Sequence, residues 1–119
     1  MNSVELYNVW HHKLFDELYT DVDDFRGIIM YGVNTKYPKE YNKERGYNIL
    51  FEWTLPQYDE TFQKNGYCQT SCFYHIYING LHKNTKYIGF CQYDMKLYKN
   101  IISDIENTIL NETTIPSEP

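Results

Sequence analysis

The chain has 119 residues and a formal net charge of −5, a length that fits one domain able to bury roughly two-thirds of the surface its unfolded form exposes. Its acidic balance lacks the clustered Lys and Arg that displace counterions from a phosphate backbone, which excludes nucleic acid as a partner. No stretch approaches the ~18 uninterrupted apolar residues of a membrane span, and Glu5, His11, His12, Lys13, Asp16 and Glu17 interrupt any signal-like run at the start, so the expected location is the cytoplasm.

Thirteen Tyr, six Phe and two Trp supply large contact area, but many of these rings carry polar tips that need partners or water. Three cysteines, an odd number without a secretion signal, read as reduced thiols, and the Asn111, Glu112, Thr113 sequon is then silent. Abundant Asn, Lys, Ile and Tyr suit an AT-rich genome, that of an AT-rich microbe or of a large DNA virus, for which the location becomes the host cytoplasm.

In chain order, Val4 to Trp10 alternates apolar against polar residues and predicts a first strand, stopped by His11, His12 and Lys13. Leu14, Phe15, Leu18 and Tyr19 follow at helical spacing and predict a short helix. Phe25 to Val33 is an apolar, partly β-branched run that predicts a second strand, ended by Asn34 and the Lys36, Tyr37, Pro38 loop. Asn48 to Trp53 predicts a third, closed by Pro56, and the polar Tyr58 to Gly66 segment suits a surface helix or loop.

Thr70 to Asn79 has strand propensity, yet Gln69, Thr70 and Ser71 offer an N-cap and Asn79 and Gly80 a stop. Phe73, Ile76 and Tyr77 fall at i, i+3, i+4, so a buried helix with that inward face is expected. Tyr87 to Cys91 predicts a central, buried strand parallel to the first. Leu97, Ile101, Ile102, Ile105, Ile109 and Leu110 mark one face of a final helix. The expected organisation is one α/β domain over residues 1–112, with a mainly parallel sheet flanked by helices, and a flexible tail over 113–119.

The chemistry concentrates where the run Lys86 to Met95 leaves an apolar strand and reaches Gln92, Tyr93 and Asp94, at a carboxyl edge where α/β sheets bind ligands. Asp94 there is a rigidly held carboxylate of the kind a hard divalent cation needs; its bland alternative is a solvated turn residue. His11 and His12 follow the first strand, and Trp10 or Tyr37 could stack on a base, although paired histidines in a loop are also common surface residues.

The run Gln63 to Leu97, about a third of the chain, resembles the signature of the capsular-polysaccharide-type glycosyltransferase family and its large-virus relatives. The matching residues are Asn65, Gly66, Tyr67, Cys68, Gln69 and Ser71, then Tyr74, Tyr77 and Asn79, then Tyr87, Ile88, Gly89, Cys91 and Tyr93; the first strand with its His-Lys loop matches more weakly. The resemblance implies the nucleotide-sugar-binding half of a Rossmann-like GT-A fold. Its ligand would be a nucleotide-diphosphate sugar donor accompanied by Mn²⁺ or Mg²⁺. The implied donor-binding residues are Trp10, His11, His12, Gln92, Tyr93 and Asp94, with Asp94 as metal ligand in the place of a DXD motif. Gln92 departs from that motif, being a neutral amide and a poor metal ligand beside a carboxylate.

Complete enzymes of this fold continue into an acceptor half that supplies a base and a further metal ligand. This chain has only one helix and a Pro-rich tail after Asp94, so it is expected to be a truncated domain with no assignable catalytic residue. Sugar transfer to a glycan acceptor is the activity implied, and a non-catalytic binding module acting through a complementing protein chain is the alternative. Cys68, Cys72, His75 and His82 carry zinc-ligand chemistry, but Cys-x3-Cys and His-x6-His do not match the usual spacing.

Overall fold

The first strand forms where the sequence alternates between two sets of side chains that both need burial. In the computed structural model, which describes residues 4–64 and 68–114, β1 spans Val4–Trp10, with Leu6 and Trp10 on one face and Tyr7 and Val9 on the other, all buried. β2 (Ile28–Gly32), β3 (Asn48–Phe51) and β4 (Tyr87–Gln92) complete a four-stranded, all-parallel sheet in the order β3-β2-β1-β4. Parallel strands bury both faces, which is why each reads as a nearly continuous apolar run.

The expected short helix after β1 is a single 3-10 turn at Asp16–Leu18. This segment, with Leu14, Tyr19, Val22 and Phe25 buried, covers the face of the sheet that carries Leu6, Trp10, Ile28 and Met30. Leu97 and the first turn of α3 (Ile101–Thr114) close over the same face. The helix runs into the segment expected to be a tail, whose residues 115–119 lie outside the described residues.

The opposite face is covered by α2 (Cys68–Ile78), which follows the single turn α1 (Thr61–Lys64). A helix does form there against strand propensity, but its inward face differs from the one expected. Ser71, Cys72, His75 and Ile76 are buried, whereas Phe73 and Tyr77 are 47% and 69% exposed. The buried stripe contains polar groups because Glu52, in the 3-10 turn Glu52–Thr54 after β3, is itself fully buried and needs donors. Ser71 Oγ donates to Glu52 Oε2 at 2.6 Å, and the Tyr31 hydroxyl donates to Glu52 Oε1 at 2.7 Å. His75 accepts at Nε2 from the Asp59 N–H at 2.8 Å, so its proton sits on Nδ1, 2.8 Å from Ser71 O and 3.2 Å from Glu52 Oε1. Cys72 and His75 thus have core roles, and burial pushes the Cys72 thiol well above its usual range.

β4 departs from expectation in position. It is parallel to β1, as expected, but it is an edge strand that pairs with β1 alone among the described residues, and Tyr87 to Cys91 are only half-buried. The reason is connectivity: β1, β2 and β3 succeed one another in one direction, and the chain then returns through α2 to the other side of β1. The strand order therefore reverses between β1 and β4.

No helix among the described residues is long and apolar enough to cross a membrane.

Candidate functional site

In an open parallel sheet, ligands bind in the crevice outside the carboxyl ends of the strands at the point where the strand order reverses; in this chain the connections that follow β1 and β4 both pack on the face that carries Leu6 and Trp10. Here that crevice lies between the ends of β1 and β4. A cleft of about 370 Å³ occupies it, lined by His11, His12, Lys13, Phe15, Tyr37 and Tyr93.

Each wall has a specific support. Tyr93 continues the ladder one residue beyond β4, its N–H donating to Val9 O at 3.0 Å. Its carbonyl accepts from the Tyr19 hydroxyl, which in turn accepts from Asn8 Nδ2 at 3.1 Å, so a buried polar relay from β1 fixes the turn. Burial pushes the Tyr19 phenol up to about 12, which keeps its proton in place to donate. The Phe15 ring stacks on Tyr93 with centroids 5.8 Å apart, and His11 meets Tyr93 edge to face at 5.1 Å.

The far wall comes from the loop after β2. Asn34 adopts a left-handed conformation (φ 65°) and its side chain accepts from the Lys36 N–H, turning the chain so that Tyr37 approaches His11 and His12, with ring centroids 5.4 and 6.2 Å away. Lys39 then ties the two loops together: its ammonium donates to His11 O, Tyr37 O and Asn34 O. Between the same loops, Glu40 N donates to His12 O at 3.0 Å and Leu14 N to Glu40 O at 3.0 Å. Carbonyls that a sheet edge would leave without partners are satisfied by one cation and two backbone bonds.

The electrostatics of the cleft follow from the same contacts. Partial burial, then the nearby Lys39 ammonium and His12, hold the His11 imidazole below its ordinary value of 6.5. Near neutral pH, His11 is therefore an uncharged group able to accept one hydrogen bond and donate another. Lys13 lines the cleft with its ammonium 5.8 Å from the Phe15 ring centroid. The result is a slot of aromatic and imidazole surfaces with a cation at its rim, suited to a flat ring bearing an anionic substituent.

Of the residues expected to bind a donor, His11, His12 and Tyr93 line this cleft together. Trp10 does not: it is fully buried against Tyr41 and Phe51, because it is the inward-facing residue at the end of β1. A Cβ at Gly32 would lie 2.6 Å from the Phe51 ring, so the glycine makes room for this packing. The expected ring surface of Trp10 is therefore absent from the cleft, whose ring surfaces include Tyr37 and Tyr93. Gln92 and Asp94 are exposed and are not among the lining residues.

Asp94, with the neutral Gln92 two residues before it, offers one carboxylate, and no group of three His, Cys, Asp or Glu side chains converges among the described residues. These residues do not by themselves make a site for a divalent cation. Lys13, Phe15 and Lys39 are site residues that the sequence does not single out. Lys13 has a signal in its place directly after the first strand, whereas Phe15 reads from sequence as a core residue and Lys39 as one more loop lysine.

Asn65, Gly66 and Tyr67, which open the glycosyltransferase-like signature, lie outside the described residues. In comparisons with known proteins, the chain matches no family model, no curated protein and no solved structure.

Proposed function

We propose that the chain is a glycosyltransferase-like protein whose cleft at the ends of β1 and β4 binds the nucleotide part of a nucleotide-diphosphate sugar, in a sheet of Rossmann-like GT-A type. The observation that carries this reading is the coincidence of an aromatic, cation-rimmed cleft with the reversal of strand order. The order β3-β2-β1-β4 is also that of the first four strands of a doubly wound nucleotide-binding sheet. The sequence resemblance over Gln63 to Leu97 supports the same class.

In this reading Tyr37 and Tyr93 flank the base, His11 exchanges hydrogen bonds with the base or ribose, and Lys13 and His12 face the phosphates. Asp94, beyond the cleft, is the group available to a cation that the diphosphate itself brings. Transfer to a glycan acceptor is the activity of the resembled family, and no residue of this chain is assigned to that step.

Titration calorimetry with UDP, other nucleoside diphosphates and their sugar conjugates tests the reading. Binding is expected, and Tyr37→Ala and Tyr93→Ala are each expected to weaken it by about 1 to 3 kcal/mol, the range for a lost base-stacking ring. Absence of binding by every nucleotide would sink it. The second reading, a non-catalytic module acting through another chain, is favoured by one observation: β4 is an edge strand whose Phe90 meets the exposed Phe73 ring of α2.

A further inference from the structure

Asn8 is a fully buried amide in the interior of β1, on the face that carries Leu6 and Trp10, and in the ladder it lies beside Met30 of β2 and Cys91 of β4. A buried amide must satisfy its donors and its acceptor or bear the cost of desolvation. Its Nδ2 donates to the Tyr19 hydroxyl at 3.1 Å and to Met30 Sδ at 3.2 Å, and its Oδ1 accepts from the Cys91 thiol at 3.5 Å. One side chain is thereby tied to both neighbouring strands and to the segment that covers them.

The direction of these bonds is forced from their far end. Tyr93 O can only accept, so the single Tyr19 hydroxyl proton goes there. The Tyr19 oxygen must then accept, and the donor end of the Asn8 amide is the end that can serve it. The relay runs one way, from the core of the sheet to the backbone of a cleft residue.

Tyr93 is gripped at every group that relay leaves free. Its N–H donates to Val9 O, and its ring stacks on Phe15. Phe15 and Tyr19 flank the single 3-10 turn Asp16–Leu18, so one short segment holds both the ring and the carbonyl. The Leu97 N–H donates to Leu18 O at 3.0 Å and fastens that turn to the chain beyond Tyr93. With its N–H, carbonyl and ring all held, Tyr93 has little freedom left to lose when a planar ligand stacks on it, so less ordering opposes binding.

We propose that Tyr19, aimed by Asn8, is a positioning residue for the cleft: it does not line the cleft, yet it sets the affinity for a planar ligand by holding Tyr93 in place to stack. The proposal rests on the reading of the cleft as a nucleotide site, and its test separates the two.

Tyr19→Phe removes the hydroxyl and keeps the ring in the core, and circular dichroism should show the variant folded. Calorimetric titration with UDP should then show affinity about three- to tenfold weaker, the span of one hydrogen bond's net contribution. Introduced into Tyr93→Ala, the same substitution should change affinity by less than about twofold, because no ring is left to position. Asn8→Leu fills the same space without the donor that aims the hydroxyl, and should give a smaller loss that also disappears with Tyr93→Ala. A Tyr19→Phe loss of equal size in both backgrounds overturns the proposal. So does a protein that is less stable in urea but binds UDP as before, since the hydroxyl then serves the core alone. A second readout needs no ligand. Tyr93 imposes a ring-current shift on the His11 ring, 5.1 Å away, which nuclear magnetic resonance measures as the difference from Tyr93→Ala; in Tyr19→Phe that shift should shrink. Failure of every nucleotide to bind sinks the nucleotide reading, and the His11 shift then decides the positioning role: a shift as large as in the unaltered protein overturns it.

Discussion

The His11 imidazole and the Tyr93 ring meet edge to face, 5.1 Å between centroids and 88° between planes, so the residue that follows β1 touches the residue that follows β4 across the point where the strand order reverses. Everything else in the cleft is arranged around this contact: Phe15 stacks on Tyr93, and Tyr37 approaches His11 from the loop after β2.

That environment makes a prediction about pH. Burial and the Lys39 charge hold His11 below 6.5 in the folded state, so between that value and the folded value the unfolded chain binds more protons than the folded one. Stability then rises with pH across this window; the His11 contribution is complete above about 6.5 and is lost on acidification towards the folded value. Nuclear magnetic resonance should show the His11 ring titrating below 6.5. The difference in denaturation midpoint between pH 7.5 and pH 5 should shrink in His11→Asn. A His11 that titrates at the ordinary value would contradict the partly desolvated geometry.

Lys39 should matter more than a loop lysine ordinarily does. Its ammonium donates to the carbonyls of His11, Asn34 and Tyr37, and it also lies 5.3 Å from the centroid of the Trp53 ring. Lys39→Met keeps the apolar stem and removes the donors, at an expected cost of about 1.5 to 3 kcal/mol for the charged hydrogen bonds. It should also raise the His11 titration midpoint, since one cause of its depression is gone. Nucleotide affinity should fall as well, because Tyr37 loses its anchor. Unchanged His11 titration would mean that the lysine does not sit against the carbonyl in solution.

Buried Glu52 gives a test of the other face. Glu52→Ala removes the acceptor that the Tyr31 and Ser71 hydroxyls share, while the His75 Nδ1–H keeps Ser71 O at 2.8 Å, and the expected loss is about 2 to 5 kcal/mol, from two buried donors at about 1 to 3 kcal/mol each. Glu52→Gln keeps one acceptor oxygen but turns an N–H₂ towards donors, so a smaller loss of about 1 to 3 kcal/mol is expected. Urea denaturation measures both. Equal losses, or a loss below about 1 kcal/mol for Glu52→Ala, would show that the acid is solvated.

These residues also explain how much of the molecule is legible in its sequence. All four strands are legible because parallel strands leave long apolar runs, and the His11 and Tyr93 neighbourhood follows from strand ends alone. The inward face of α2 is not legible, since Ser71 and His75 look like surface residues until Glu52, distant in sequence, is known to be buried. The edge position of β4 is hidden for a different reason: YIGFC has the composition of a central strand, and its half-burial depends on which side of β1 the chain returns to. Trp10 misleads because its place at the strand end suggests a site, while the period of two turns its ring inward.

The role of Asp94 separates nucleotide binding from a mere turn carboxylate. A divalent cation such as Mn²⁺ or Mg²⁺ prefers several oxygen ligands, and Asp94 offers one exposed carboxylate with the neutral Gln92 beside it. The protein alone should therefore bind Mn²⁺ poorly in a calorimetric titration. Adding UDP should make binding measurable, because the diphosphate contributes the missing oxygens and the cleft holds the nucleotide. Asp94→Asn should weaken that ternary binding by about 1.5 to 3 kcal/mol, the range for losing one charge-assisted contact, while leaving UDP binding without metal nearly unchanged. Gln92→Asp should tighten it by restoring a second carboxylate. Should Asp94→Asn leave the Mn²⁺ and UDP titration unaltered, the cation is held by the nucleotide alone, and donor recognition rests on the Tyr37, Tyr93 and His11 cleft.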